Sequence, residues 1–146
     1  MEKKDYRITL TVDATADEVF NSINNVAAWW TDDLKGSSLK TGDEFTVQFG
    51  DMHVSTQRIT ELVPAKRIVW LVTESRLSFI SNQQEWNNTT ISFEIDELDD
   101  GTRIHFTHIG LVPAIECYKD CSKGWDYYIK GSLYKLLTEG KGTPGL

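Results

Sequence analysis

The chain has 146 residues, a formal net charge of −7 and a pI near 4.9. So acidic a protein lacks the basic patches that nucleic acid or an anionic membrane demands, which excludes both as main partners. One domain of this length buries about 68–70% of its unfolded surface, so a full core is expected without a metal or a disulfide.

The opening residues turn strand-like at once and hold no apolar stretch of the kind a secretory leader carries. The Lys3-Lys4 pair is a short, solvated basic cluster. Asp5 to Val12 alternates Tyr6, Ile8, Leu10 and Val12 with charged or hydroxyl residues, the pattern of a half-buried strand. Thr15 to Glu18 reads as a capping box opening a short helix, with Val19, Phe20 and Ile23 inward. Asn24-Asn25 interrupts it, and Val26 to Trp30 makes a second helical turn. Neighbours on a helix diverge by about 100°, so Trp29 and Trp30 are expected to split, one inward and one over a rim or pocket mouth.

Leu34 to Thr41 reads as a loop. Strands follow. Phe45, Val47 and Phe49 alternate before a Gly50-Asp51 turn, and Val54 to Leu62 is closed by Pro64. Lys66 to Thr73 is apolar on both faces, as in a central strand. Ser75 to Trp86 is a long connection whose Leu77, Phe79, Ile80 and Trp86 imply that it tucks inward or folds over something. Thr89, Ile91, Phe93 and Ile95 alternate, Asp99-Asp100-Gly101 is a hairpin turn, and Ile104, Phe106 and His108 share the inward face of the last strand.

Pro113 to Gly140 reads as one long amphipathic helix, with Ile115, Tyr118, Ser122, Trp125, Ile129, Leu133 and Leu136 on one side. Gly124 and Gly131 each disfavour a helix by about 1 kcal/mol against alanine. They stand either for tight packing or for a gap between helix and sheet. Lys141 to Leu146 is expected to be a loose tail. Strands followed by a long helix give an α+β domain spanning 1–146, with about six strands, two short helices after the first strand, and the long helix on one sheet face.

Few motifs survive their context. Gly140 to Gly145 spells G-x-G-x-x-G, but it follows a helix instead of joining a strand to one. His105 and His108 lie three apart on a strand, so they face opposite ways and cannot share a metal. His108 should point inward, either as a satisfied interior histidine or as a functional one. His53, beside a turn, is expected to be exposed. Cys117 and Cys121 are one helical turn apart, unsuited to a disulfide. A soft-metal site joining them with His108 needs a ligand the sequence does not place. Glu61 sits on a strand of mixed face pattern, and no buried acid–base pair can be assigned. No metal or cofactor is expected. The longest apolar runs, Val26–Trp30 and Ile68–Val72, are far too short to span a membrane. A cytoplasmic protein is expected, in which the Asn87-Asn88-Thr89 sequon is chance.

Several stretches together carry a resemblance: residues 11–20, Trp29-Trp30, Gly42 to Phe45, Glu61 to Trp70, Thr107 to Leu111, and Gly124-Trp125. In this order and spacing the chain resembles the START-like, helix-grip superfamily. Within it, the chain is similar to bacterial proteins carrying the domain named for the activator of the Hsp90 ATPase. The resemblance implies a curved antiparallel sheet gripping the C-terminal helix, often with a cavity between. Relatives include binders of lipids, hormones or polyketides, and some cyclases and dehydratases. The eukaryotic namesake carries a further N-terminal domain for chaperone contact, for which this chain is expected to have no room.

The expected function is binding of a small apolar or aromatic molecule, since apolar pockets with few polar groups are the usual form of ligand sites. Candidate lining residues are Trp70, Phe79, Phe93, His108, Tyr118, Cys121 and Trp125. An enzyme using the same pocket, with His108 as general acid or base and Tyr118 as donor, is one alternative. A protein-interaction or chaperone-regulating module is the other. Outward Tyr127 and Tyr134 hint at a homodimer.

Overall fold

The computed structural model describes residues 5–145; Lys3-Lys4 and Leu146 lie outside them. Strand β1 (Tyr6–Val12) leads through Thr15 into α1 (Ala16–Asn24). The capping box is present: Glu18 N donates to Thr15 Oγ1, and Thr15 N to Glu18 Oε1. A 3₁₀ turn (Val26–Ala28) follows. Then come β2 (Leu34–Gly36), β3 (Glu44–Phe49), β4 (His53–Val63), β5 (Arg67–Leu77), β6 (Thr90–Leu98) and β7 (Gly101–Ile109). They form one seven-stranded antiparallel sheet in the order β1-β7-β6-β5-β4-β3-β2. The fold is α+β, a curved sheet around a C-terminal helix.

The sheet has one strand more than the six expected. The extra one is β2, within the stretch read as a loop. Three residues are too few to show a period of two, and Gly36 hides the strand further. That glycine has φ +101°, and a Cβ there would lie 2.2 Å from the Glu44 carbonyl oxygen on β3.

Strand β4 carries two register irregularities, at Thr56/Gln57 and Ile59/Glu61. Such bulges bend a strand and re-aim its side chains. They resolve the mixed face pattern: Ser55, Gln57 and Ile59 are buried, whereas Glu61 turns out to meet Arg67 at 3.7 Å.

The helix begins at Tyr118, not Pro113. Residues 113–117 form turns instead, because their amides are taken elsewhere: Glu116 N and Cys117 N donate to the Glu85 carboxylate, each at 2.9 Å. From Tyr118 the helix is continuous to Glu139, as α2 (Tyr118–Trp125), a π segment (Asp126–Leu133) and α3 (Tyr134–Glu139). Gly140 ends it in the left-handed conformation, as its position predicts. Among the described residues no helix is long and apolar enough to cross a membrane.

Trp29 and Trp30 divide between core and pocket wall, not between core and solvent: Trp30 lines a pocket and Trp29 does not. Both are buried, because the chain leaves helical geometry at Trp29 (φ −133°, ψ −28°) and the 100° rule lapses there. Trp29 Nε1 donates to the Ile23 carbonyl. The rings of Trp29, Trp30 and Trp70 stack mutually with centroids 6.0–6.4 Å apart.

The tail is not loose over its described part. Thr143 N donates to Ser132 Oγ, Ser132 Oγ to the Trp29 carbonyl, Gly145 N to the Trp30 carbonyl, and Tyr128 Oη to the Gly145 carbonyl. The glycines that suggested looseness permit close approach: a Cβ on Gly142 would lie 2.5 Å from the Ala28 carbonyl oxygen.

Two glycine substitutions should therefore differ in sign. Gly36→Ala forces a clash and strain and should lower stability by about 1–3 kcal/mol. Gly131→Ala meets nothing within 4 Å in mid-helix and should raise it by about 0.5–1 kcal/mol. Urea unfolding midpoints measure both.

Candidate functional site

The inner face of β7 presents Ile104, Phe106 and His108, all buried. Across from them, Trp125 on α2 donates from Nε1 to His108 Nδ1 at 3.0 Å. The acceptor role of Nδ1 places the imidazole proton on Nε2, which lies 2.8 Å from Thr89 Oγ1. That hydroxyl in turn donates to the Trp86 carbonyl at 2.6 Å. Both ring nitrogens of His108 are thus used. It is a satisfied interior histidine joining helix, last strand and the β5–β6 loop. Tyr118, which would accompany it in acid–base chemistry, packs edge-on against Tyr6 instead, with centroids 6.1 Å apart.

Beside this junction lies a pocket of ≈ 200 Å³ between the first half of the helix, the β3–β4 hairpin and the β5–β6 loop. Its inner wall is aromatic. Trp30, Trp86 and Trp125 enclose one another, Trp86 stacking on Trp125 at 5.7 Å and Trp30 lying 5.0 Å from Trp125. Phe49 and Phe79 complete that wall, with Met52 and Asp120 exposed at its margin. On the helix side Gly124 faces it, and a Cβ there would meet nothing within 4 Å. The glycine marks a gap, not tight packing.

Of the seven residues singled out from sequence, Phe79, Cys121 and Trp125 lie on this wall. Trp70 and Phe93 sit wholly in the core beneath it, 5.1 Å apart and edge to face. His108 stands one layer behind Trp86 and Trp125, and Tyr118 belongs to the Tyr6 contact. The pocket residues not singled out are Trp30, Phe49, Met52, His53, Trp86, Asp120, Gly124 and Tyr128. Three left a usable signal: Trp30 as one of two adjacent tryptophans, Gly124 as a mid-helix glycine, and Trp86 as an apolar residue in a polar loop. His53 left the wrong one. Instead of standing exposed, its ring is packed against Phe49, Trp30 and Trp86, with centroids 5.1, 6.2 and 4.7 Å away.

The electrostatics are those of an uncharged site. Burial holds the His108 imidazole down to about 3, helped by neighbouring His53, and burial likewise holds His53 to about 3. The Cys121 thiol is pushed well above its usual range by its hydrogen bond with Cys117 and by burial. It remains a protonated, apolar wall group and not a thiolate nucleophile. Burial raises the Tyr128 hydroxyl to about 12. Among the described residues no cluster of three or more His, Cys, Asp or Glu side chains could hold a metal ion.

The β5–β6 loop, which carries Phe79 and Trp86, is latched over the pocket by two carboxylates. Glu85 accepts from the Glu116 and Cys117 amides, and Glu116 accepts from Ser81 N at 3.0 Å. Each reaches across to the other's segment, so loop and helix start hold one another in place.

A curved antiparallel sheet closed on a C-terminal helix, with a pocket left between them, defines a START-like, helix-grip protein. The sequence family described as "Activator of Hsp90 ATPase homolog 1-like protein" matches residues 13–138, and the chain belongs to it. In structure it is similar to an Aha1 dimer from Colwellia psychrerythraea, at 23% identity and a TM-score of 0.75, covering 97% of this chain and 100% of that one. It is similar to a protein from Rhizobium leguminosarum, at 15% identity and a TM-score of 0.71, covering 96% and 97%. It also resembles DynU16, a protein of the dynemicin biosynthetic locus, at 18% identity and a TM-score of 0.67; the match covers 94% of this chain but 48% of that one. These likenesses establish the fold. No curated protein matches the chain in sequence.

Lowering the pH should destabilise the protein in a definite window. His108 is neutral when folded and protonates near 6.5 when unfolded, so the unfolded state binds the extra proton. Its stabilising contribution is complete above about pH 6.5 and falls as pH drops toward 3. Between pH 6 and 5, above the range of ordinary carboxylates, the slope should approach roughly 1 kcal/mol per pH unit for each such histidine. Urea midpoints at pH 7, 6 and 5 measure it, and His108→Gln should flatten the curve while lowering stability throughout.

Proposed function

We propose that this protein binds a small aromatic molecule in the pocket beside Trp125. The observation that carries the reading is a concave wall of three tryptophans and two phenylalanines facing a glycine with open space above it. Size narrows the occupant. Drug-sized ligand sites run about 300–1,000 Å³, and an apolar cavity near 150 Å³ takes one benzene. A pocket of ≈ 200 Å³ therefore suits a single ring with a short substituent, rather than a sterol or a long acyl chain.

The chemistry favours binding over catalysis. His108 has no free nitrogen, and Cys121 is held protonated. A binding site also suits the exposed surface better than a broad protein-docking face does. Among the described residues the most exposed large aliphatic side chains are Leu39 between β2 and β3, Met52 in the β3–β4 turn, Val63 ending β4 and Ile109 ending β7, in four separate parts of the chain.

A single-ring aromatic added to the protein should produce a saturable change in tryptophan fluorescence. Gly124→Leu should abolish it without lowering the thermal midpoint, because the new side chain enters vacant space. A wild-type protein that gives no saturable change with a panel of such compounds would overturn the reading.

A second reading concerns assembly. The Colwellia relative is a dimer, and Tyr127 and Tyr134 are 50% and 41% exposed on the outer side of the helix. Self-association through this side is expected to give twice the chain mass in light scattering, reverting to the single mass in a Tyr127→Glu, Tyr134→Glu variant.

A further inference from the structure

The aromatic wall explains affinity for a ring but not selection among rings. Selection requires a polar group inside the pocket with hydrogen-bonding capacity to spare. Tyr128 Oη is spent on the Gly145 carbonyl, and the Cys121 thiol is only a weak donor. Asp120 is exposed at the margin. His53 remains.

His53 opens a polar ladder along the inner face of β4, with Ser55 and Gln57 at successive inward positions, 1% and 0% exposed. Polar side chains so deeply buried on a core face are unusual, and here they are chained. Gln57 Nε2 donates to Ser55 Oγ at 2.6 Å. Ser55 Oγ lies 2.8 Å from His53 Nε2. With the amide nitrogen turned toward the serine oxygen, which leaves Gln57 Oε1 buried without a partner, the serine hydrogen has one acceptor among the described residues, His53 Nε2. A neutral imidazole that accepts at Nε2 carries its proton on Nδ1. No described side chain or carbonyl takes that proton. The residue is half-buried and lines the pocket.

We propose that His53 is the specificity-determining residue of the pocket. In this proposal its Nδ1–H donates to the oxygen of an uncharged aryl carbonyl or phenol whose ring stacks against Trp86 and Trp30. The inference rests on the aromatic-binding reading above and adds the functional group to it. Ser55 and Gln57 act as positioning residues, holding the tautomer that presents a donor. Burial keeps the imidazole uncharged. The recognised group is therefore a neutral oxygen, and the Asp120 carboxylate at the margin adds repulsion against an aromatic acid.

Acetophenone and α-methylstyrene make the test. They have nearly the same shape, and differ in whether oxygen or CH₂ ends the double bond. Titration calorimetry on the wild-type protein should show acetophenone binding about five- to tenfold tighter, the worth of one neutral hydrogen bond. Benzoate should bind more weakly than acetophenone. His53→Phe should retain α-methylstyrene and bring the ratio to about one; Ser55→Ala should reduce it part of the way. Long-range ¹⁵N–¹H spectra of the wild-type protein should show the His53 proton on Nδ1, a readout that needs neither a variant nor a ligand. An Nε2–H tautomer would overturn the assignment, as would equal wild-type affinity for the two compounds or a ratio that survives His53→Phe. If the wild-type protein binds neither compound, the aromatic-binding reading itself fails.

Discussion

The bond from Trp125 Nε1 to His108 Nδ1 is the constraint on which the rest of the interior turns. It crosses from the helix to the last strand inside a region from which water is excluded, where an unmet polar group would cost about 1–3 kcal/mol. It therefore fixes more than a distance. It sets the histidine tautomer, which sends the other proton to Thr89 and through it to the Trp86 carbonyl. It also sets the plane of the Trp125 ring, against which Trp86 and Trp30 align. Protonating His108 would turn the acceptor into a donor facing another donor. That is why burial and hydrogen bonding both oppose the charged form.

The pocket follows from a division of labour along the helix. Ile129 and Leu133 are wholly buried and anchor the helix to the sheet. One turn before them, side chains are either very large or absent: Trp125 beside Gly124, with the small Cys121 below. Flat rings do not fill the space beside a glycine as branched aliphatic side chains would, so packing leaves a gap. The β5–β6 loop roofs it, held by the reciprocal Glu85 and Glu116 latches instead of by burial alone. The same protein is thus rigid where the helix meets β7 and held by polar contacts where the pocket opens.

Much of the fold could be read from residues. Alternation in β1, β3, β6 and β7, the Thr15 capping box and the Gly140 stop are local signals, and each appears where its pattern lies. The inward turn of His108 follows from its sharing a face with Ile104 and Phe106. What escaped reading depends on contacts remote in the chain. Strand β2 exists because β3 pairs with it, not because its own three residues prefer extension. Trp30 is buried because the chain leaves the helix one residue earlier. His53 was misread since a turn neighbour suggests exposure, whereas the hairpin folds it beneath Trp86. The pocket lies along the first half of the helix, but half of its wall comes from the hairpin and the loop. Trp70 and Phe93 share the inward faces of their strands with pocket-side residues, yet they lie toward the middle of the sheet, where packing is complete.

The π segment from Asp126 to Leu133 has a further consequence. Each wide turn takes up one residue more than an α turn, so the helix stores a residue of slack between Trp125 and Leu133. A deletion of one residue there could be absorbed by tightening the wide turn, leaving the tryptophan and the leucine facing the sheet. A deletion within α2 has no such reserve and would rotate Trp125 away from His108. Length variation along this helix is therefore graded: tolerated across 126–133, and forbidden just before it.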